Sequence, residues 1–236
     1  MSNTEKPADK APDYSAIRAR VSPKAVRMAS LFDAKSDVRH YLYGLHIEPA
    51  PQGGIYVVAS DGSTMLVFHD KAGNLEGAQN ILIRTNGALT AACANAMRRE
   101  ELAVIVEGSR LSVAPDFGMA HASDDETHVM PGCCHINART RLDWLRVIPN
   151  FPKLKQAPMG SVDSRFLERI HKAAQIGSSP NLTSVHFWAE GESHPIAVQF
   201  EHTPEALAII MPVRSDNKLC DLAMTLASQK TKAKAA

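Results

Sequence analysis

One order of elements occurs three times along the chain, and it limits the possible folds more than any other feature of the sequence. Each time, a short β-rich run leads into a capped, helix-forming stretch, and two or three further β-rich runs follow. In the first unit, a strand over 14–21 precedes Ser22 and Pro23, the N-cap and first residue of a helix over 23–34. Residues 41–69 then read as three strands. In 41–47, Tyr41, Tyr43, Leu45 and Ile47 alternate with Leu42, Gly44 and His46. Residues 49–54 break the pattern, and strands over 55–59 and 65–68 are joined by Ser60, Asp61, Gly62 and Ser63. Asp-Gly between such runs signals a hairpin, because a tight turn of the right twist needs positive φ. The second unit has a strand over 80–85, Asn86 as a cap, an alanine-rich helix over 87–99, and strands over 102–107 and 110–114. Its third strand falls at 119–122 or 127–130. The third unit has a strand over 159–163, Asp163 or Ser164 as a cap and a helix over 165–176 stopped by Gly177. Strands over 185–190, 196–201 and 207–213 complete it. The pattern predicts an α+β protein of antiparallel sheets with helices on one face.

The composition narrows the function. A chain of 236 residues, 44% hydrophobic and 22% charged, can bury one large core or two modest ones. The net charge of +1 gives no overall pull toward nucleic acid, so any DNA affinity has to come from local placement of cations. No apolar run approaches the roughly 18 residues of a membrane span. Residues 1–13 are polar, carry two prolines and lack an apolar signal core, which predicts a disordered arm and a cytoplasmic protein. Cys93, Cys133, Cys134 and Cys220 form no disulfide framework. Adjacent Cys133 and Cys134, even with His128 and His135 nearby, fit zinc poorly, since ligating cysteines are usually spaced by two to four residues. No metal or cofactor is expected. The chain has no nucleophile elbow, P-loop, dinucleotide fingerprint or His-Glu-x-x-His. The acidic run Asp124, Asp125 and Glu126 lacks the second carboxylate cluster of a two-metal nuclease. No enzymatic activity is expected.

Three segments carry a family resemblance. D-V-R-H-Y-L-Y-G-L at 37–45 and V-A-S-D-G-S-T-M-L at 58–66 resemble the middle domain of the bacterial sliding clamp, the β subunit of DNA polymerase III, which has a similar D-V-R-Y-Y-L-N-G and V-A-T-D-G-H-R-L-A. A-I-I-M-P-V-R at 208–214 is similar to the V-V-M-P-M-R that ends those clamps. The resemblance covers residues 18–216 and implies a DNA-clamp-like fold. Its expected organisation is a clamp-like domain of two units over 14–141, a linker over 142–158, a second, abbreviated domain over 159–216, and a C-terminal helix and tail over 217–236. The linker resembles the family's R-x-V-L-P segment, and prolines at 149, 152 and 158 support it independently. Three units amount to one and a half such domains. Either a fourth unit lies within 122–158 or the second domain is shortened.

The resemblance also implies a function and its residues. A sliding clamp is a non-enzymatic processivity factor: a closed homo-oligomer that encircles duplex DNA, is loaded by a clamp loader, and tethers DNA polymerase and other proteins carrying a clamp-binding motif. The peptide pocket that carries over comprises Leu42, Ser60, Gly62, Ser63, Thr64 and Met65, then Pro149, then Ile209, Met211, Pro212, Val213 and Arg214. Methionine and leucine walls adapt to varied apolar side chains, and an extended peptide adds backbone hydrogen bonds. Ser63-Thr64 replaces the family's His-Arg, which removes a polar and a charged wall. The expected DNA-facing residues are Lys24, Arg27, Lys35, Arg98, Arg99, Arg165, Arg169 and Lys172, with His40 and Tyr41 where the family touches DNA. The alternative is a peptide-binding adaptor that keeps the pocket and forms no ring. A helix over 218–227, with an apolar stripe of Leu219, Leu222, Ala223 and Leu226, is a candidate to cover the pocket in either case.

Overall fold

The computed structural model describes residues 14–34, 39–98, 102–108, 110–115, 128–129, 135–136, 142–149, 160–178 and 181–213. The expected arm, the C-terminal helix and tail, the acidic run, Cys133, Cys134, Lys35, Arg99 and Arg214 lie outside the described residues. The first unit consists of β1 (Arg18–Val21), α1 (Pro23–Ala29), β2 (Leu45–Pro49), β3 (Ile55–Ser60), β4 (Thr64–Asp70) and β5 (Asn74–Glu76). The second has β6 (Ile81–Ile83), α2 (Gly87–Ala96), β7 (Leu102–Glu107), β8 (Arg110–Pro115), β9 (His128–Val129) and β10 (His135–Ile136). The third has α3 (Ser164–Gly177), β11 (Val185–Trp188), β12 (Ile196–Phe200) and β13 (Ala206–Ile210). The fold is α+β, with antiparallel sheets and, among the described residues, three α-helices.

The helix starts follow local chemistry. Side chains of Ser22, Asn86 and Asp163 accept hydrogen bonds from the amides of Ala25 (3.3 Å), Leu89 (2.8 Å) and Arg165 (2.9 Å). Each satisfies an amide that the first helical turn leaves unpaired. The ends differ from expectation. Helix α1 stops at Ala29, where the Ser30 hydroxyl donates to the Arg27 carbonyl at 2.9 Å and ends the ladder. The expected strand over 41–47 begins only at Leu45, after a single 3-10 turn over His40–Leu42. Gly44 forces this break. It has φ +104°, and it crosses so close to β6 that a Cβ there would lie 2.9 Å from the Ile83 carbonyl carbon. The expected strand over 159–163 is reduced to one bridge between Ser161 and Val213, and β13 ends at Ile210.

The described strands form two sheets, ordered β5-β1-β7-β8-β9 and β10-β6-β2-β3-β4-β13-β12-β11. The first two units exchange their leading strands: β1 pairs with β7, and β6 pairs with β2. The third unit joins through β13, which pairs antiparallel with β4. The period of two along each strand splits the larger sheet into two faces. Ile55, Val57, Ala59, Leu66, Phe68, Ala206, Ala208 and Ile210 join the main core with the helices. Val58, Met65, Val67, Ala197 and Ile209 point the other way and pack under Trp144 from the segment read as a linker. Both faces are covered, so β3 and β4 are buried along most of their length.

His46 on β2 is buried, and its Nε2–H donates to the Tyr41 carbonyl at 2.5 Å, which anchors the 3-10 turn. Burial pushes its pKa below the ordinary value, and the Tyr41 hydrogen bond and the Glu48 charge offset this only in part. A folded-state value below the unfolded one means that the unfolded chain binds more protons in the window between them. Stability should therefore be complete above pH about 6.5 and fall as pH drops toward the folded value. Urea unfolding of the protein and of His46→Gln between pH 5 and 8 checks this: the slope in that window should shrink in the variant.

Candidate functional site

The antiparallel register of β4 and β13 sets Ile209 opposite Met65, both on the face away from the helices. Just beyond the strand end, the Met211 amide donates to the Ser63 carbonyl at 2.9 Å, which holds the chain against the β3–β4 turn. These contacts close one side of a cavity of about 200 Å³. Leu42, Met65, Ile209 and Met211 give it apolar walls, and Ser60, Gly62, Ser63 and Thr64 form the turn at its edge. Leu142, Trp144 and Val147 close the opposite side, with Arg39, Tyr41 and Asp143 as further wall residues. Met211 is 39% exposed and Tyr41 37%, so the cavity is open to solvent.

Two features fix its shape. Trp144 is buried, its indole N–H donates to the Glu48 carboxylate at 2.9 Å, and its ring meets Tyr56 edge-on at a centroid distance of 5.3 Å. The β3–β4 turn is held by Asp61, whose Oδ1 accepts from the amides of Ser63 (2.9 Å) and Thr64 (2.7 Å). Its Oδ2 accepts from the Arg169 guanidinium, which also donates to the Thr64 hydroxyl at 3.0 Å. Arg169 sits on α3, so a residue of the helical layer clasps the turn that borders a cavity on the far face of the sheet. Burial pushes the Asp61 carboxyl up, but the hydrogen bonds from Arg169 and from the Thr64 and Ser63 amides outweigh it and hold the pKa below the ordinary value. This stabilisation is present above pH about 3.8 and is lost as pH falls through the folded value. A double-mutant cycle of Arg169→Ala and Asp61→Asn, read by urea unfolding at pH 7, should give a coupling of about 1 kcal/mol. Asparagine keeps the acceptor for the turn amides, so the cycle isolates the ion pair.

The remaining expected pocket residues lie elsewhere. Pro149 is absent from the cavity wall, as are Pro212 and Val213. After Met211 the chain peels away: the Val213 amide donates to the Ser161 carbonyl at 2.7 Å, and Pro212 lies against Gly160. The residues that sequence reasoning missed as pocket walls are Arg39, Tyr41, Leu142, Asp143, Trp144 and Val147. Arg39 is of special interest because it lies over Gly62, where a Cβ would come within 3.0 Å of the guanidinium carbon. A cation thus returns to the wall from which Ser63 and Thr64 had seemed to remove one.

Four of the expected DNA-facing residues meet on the other face. Arg27, Arg165, Arg169 and Lys172 line a groove bordered by α1, α2 and α3, together with Asp33 and Glu168. Many of the cations there have a carboxylate partner. Lys172 meets Glu168 at 2.7 Å, Arg165 meets Asp163 at 2.6 Å, and Arg169 holds Asp61. Arg165 holds the Asp163 carboxyl down to about 2. Lys24 pairs with Glu205 at 2.8 Å, Arg27 reaches the Met97 sulfur at 3.5 Å, and Arg98 is exposed. Tyr41 lines the cavity rather than the helical groove, and of His40 only the backbone turn is described. His128 and His135 fall on β9 and β10, in different sheets. No helix among the described residues is long and apolar enough to cross a membrane.

Comparison with known proteins places the architecture. No protein-family model and no curated protein sequence matches the chain. Among solved structures it is similar to the DNA polymerase sliding clamp of Caulobacter crescentus, at 14% identity over 91% of this chain and 70% of the clamp, with a TM-score of 0.54. A sliding clamp from Bartonella birtlesii, DNA polymerase III subunit beta bound to griselimycin, is 12% identical over 89% of this chain and 70% of its own, with a TM-score of 0.52. The same subunit from Borrelia burgdorferi, in complex with a natural product, is 8% identical over 89% and 67%, with a TM-score of 0.53. The fold is that of the bacterial sliding clamps, at very low sequence identity.

Proposed function

We propose that the protein is a non-enzymatic tether of the sliding-clamp type, whose cavity between β4, β13 and Trp144 takes a short apolar segment of a client protein. The observation that carries the reading is the meeting of Met65, Ile209 and Met211 with Trp144 around one open, mostly apolar cavity. Pliable methionine walls suit a linear peptide, and the few polar groups at the edge fix its direction. DNA polymerase and other replication proteins carrying a clamp-binding motif are the proposed clients. The helical groove is the proposed face toward duplex DNA, with weak phosphate contacts and no reading of sequence. Tethering raises the client's effective concentration on its template without making any bond.

Trp144 gives a direct assay, because only one other tryptophan is present. Tryptophan emission is followed while a synthetic peptide copying the C-terminal tail of the host's replicative DNA polymerase is titrated in. Saturable quenching or a blue shift that is absent in Trp144→Phe supports the reading; an unchanged spectrum with no calorimetric heat opposes it. Griselimycin serves as a second probe.

A specific observation favours a second reading, an adaptor that binds clients without encircling DNA: Lys24, Arg165, Arg169 and Lys172 are each already paired with a carboxylate. Retention on nicked circular DNA separates the two. A ring stays on the circle and slides off once it is linearised, whereas an adaptor is retained by neither.

A further inference from the structure

We propose that Arg169 is a positioning residue shared by the two faces of the molecule, so that an anionic ligand in the helical groove loosens the turn bordering the cavity and weakens its hold on a client. Arg169 stands on α3, and its side chain lines the groove with Arg27, Arg165 and Lys172. The same guanidinium reaches the β3–β4 turn, where Nη1 donates to the Asp61 carboxylate and, at 3.0 Å, to the Thr64 hydroxyl. One side chain therefore touches both the groove and the border of the cavity. The other groove cations are engaged differently among the described residues. Arg165 holds Asp163 at the start of its own helix, Lys172 meets Glu168 one turn earlier, and Arg27 reaches Met97.

Asp61 passes this contact into the cavity wall. Its Oδ1 accepts from the Ser63 and Thr64 amides and, at 3.0 Å, from the Thr64 hydroxyl. The Ser60 hydroxyl accepts from the Gly62 amide at 3.0 Å and donates to the Thr64 carbonyl at 2.8 Å. The Ser63 carbonyl in turn accepts from the Met211 amide. Every residue of this network except Asp61 and Arg169 lines the cavity. A displaced Asp61 carboxylate therefore changes the placement of the wall itself.

Charge sets the sign of the coupling. The Asp61 side chain is 17% exposed and that of Arg169 33%, so the carboxylate is met by the guanidinium more than by water. A phosphate in the groove is a second anion for the same cation: it draws the guanidinium toward itself and repels the carboxylate. Both bonds to the turn leave from Nη1, and a guanidinium carries five N–H donors in all, so its fork can turn toward a phosphate. By linkage the effect is reciprocal, and a bound client weakens the anion by the same factor. The ion pair through which the coupling acts bounds it at about two- to fivefold. A client carried to nucleic acid is then gripped less firmly on arrival, which suits a hand-over.

The client half of this coupling rests on the proposed tethering function, whereas the response of the turn is measured without a client. Short duplex DNA is added to the full chain at low salt, and amide chemical shifts are followed. The Ser63 and Thr64 amides should move together with those of α3, although they lie at the cavity. In Arg169→Gln they should be displaced from the start and no longer answer to DNA. Calorimetric titration of the polymerase-tail peptide gives the second readout. Saturating DNA should lower the wild-type affinity about two- to fivefold. Arg169→Gln should show a loss of the same size without DNA and none further with it. Arg165→Gln should weaken DNA binding yet keep the coupling once DNA is saturating, because that side chain does not touch the turn. Ser63 and Thr64 amides that stay still while DNA is added overturn the proposal, as does a DNA effect on peptide affinity that survives in Arg169→Gln. Turn amides that respond in a protein that binds no peptide would leave the shared clasp standing and remove the tethering function instead.

Discussion

Met211→Glu should lower affinity for the polymerase-tail peptide by at least about 30-fold, or roughly 2 kcal/mol, the loss typical of an interface hot spot. Met211 lines the cavity together with Met65 and Ile209. A glutamate there would have to shed its hydration as the peptide arrives. Asp143 in the same wall adds like-charge repulsion. The fold should survive, because Met211 is already 39% exposed and its contribution to the strand contact is the backbone bond to Ser63. Isothermal titration of the variant, with a thermal melt beside it, checks both halves. Unchanged affinity in a folded variant would remove Met211 from the binding surface.

Gly44→Ala should destabilise the protein by about 3–5 kcal/mol, combining the cost of a side chain at positive φ with that of overpacking a closed site. The backbone at φ +104° suits glycine, and the added carbon would collide with the Ile83 carbonyl and approach the Arg84 Cα to 3.1 Å. Those neighbours are backbone of a paired strand and cannot swing aside. The same residue ends the turn that brings Tyr41 and Leu42 to the cavity, so peptide binding should suffer too. Gly53→Ala is the matched control. It has φ +93° but nothing within 4 Å of an added Cβ, so its cost should stay near the conformational part, about 1–2 kcal/mol. Urea midpoints of the two variants, compared with the wild type, separate strain from collision.

The parts of the cavity made by strands were legible in the sequence, because β-pattern and turn chemistry are local. Val58 to Leu66 announces a hairpin through Asp61 and Gly62, and once 207–213 is read as a strand its residues two apart share a face. The Tyr41–Ile47 alternation misled: it continued through Gly44, whose conformation is set by contact with a strand nearly forty residues later. Trp144 was hidden for a similar reason. It sits in a proline-bounded stretch with no periodicity, and its position depends on Glu48 and Tyr56, almost a hundred residues upstream. The cations on the helices were visible, but the distant carboxylate partners of Arg169 and Lys24 were not. Asp61 and Glu205 come from other elements, and nothing in the helical spacing reveals that they reach Arg169 and Lys24. Electrostatic reach is a tertiary property, and a basic helix face read from sequence alone overstates the charge left over for DNA.

The most direct test of the peptide-pocket account is amide chemical-shift mapping of the full chain as the polymerase-tail peptide is added. The account predicts saturable shifts centred on Leu42, Ser63, Met65, Trp144, Ile209 and Met211, on the sheet face away from the helices. Shifts confined to α1 and α3, or none at saturating peptide, would contradict it.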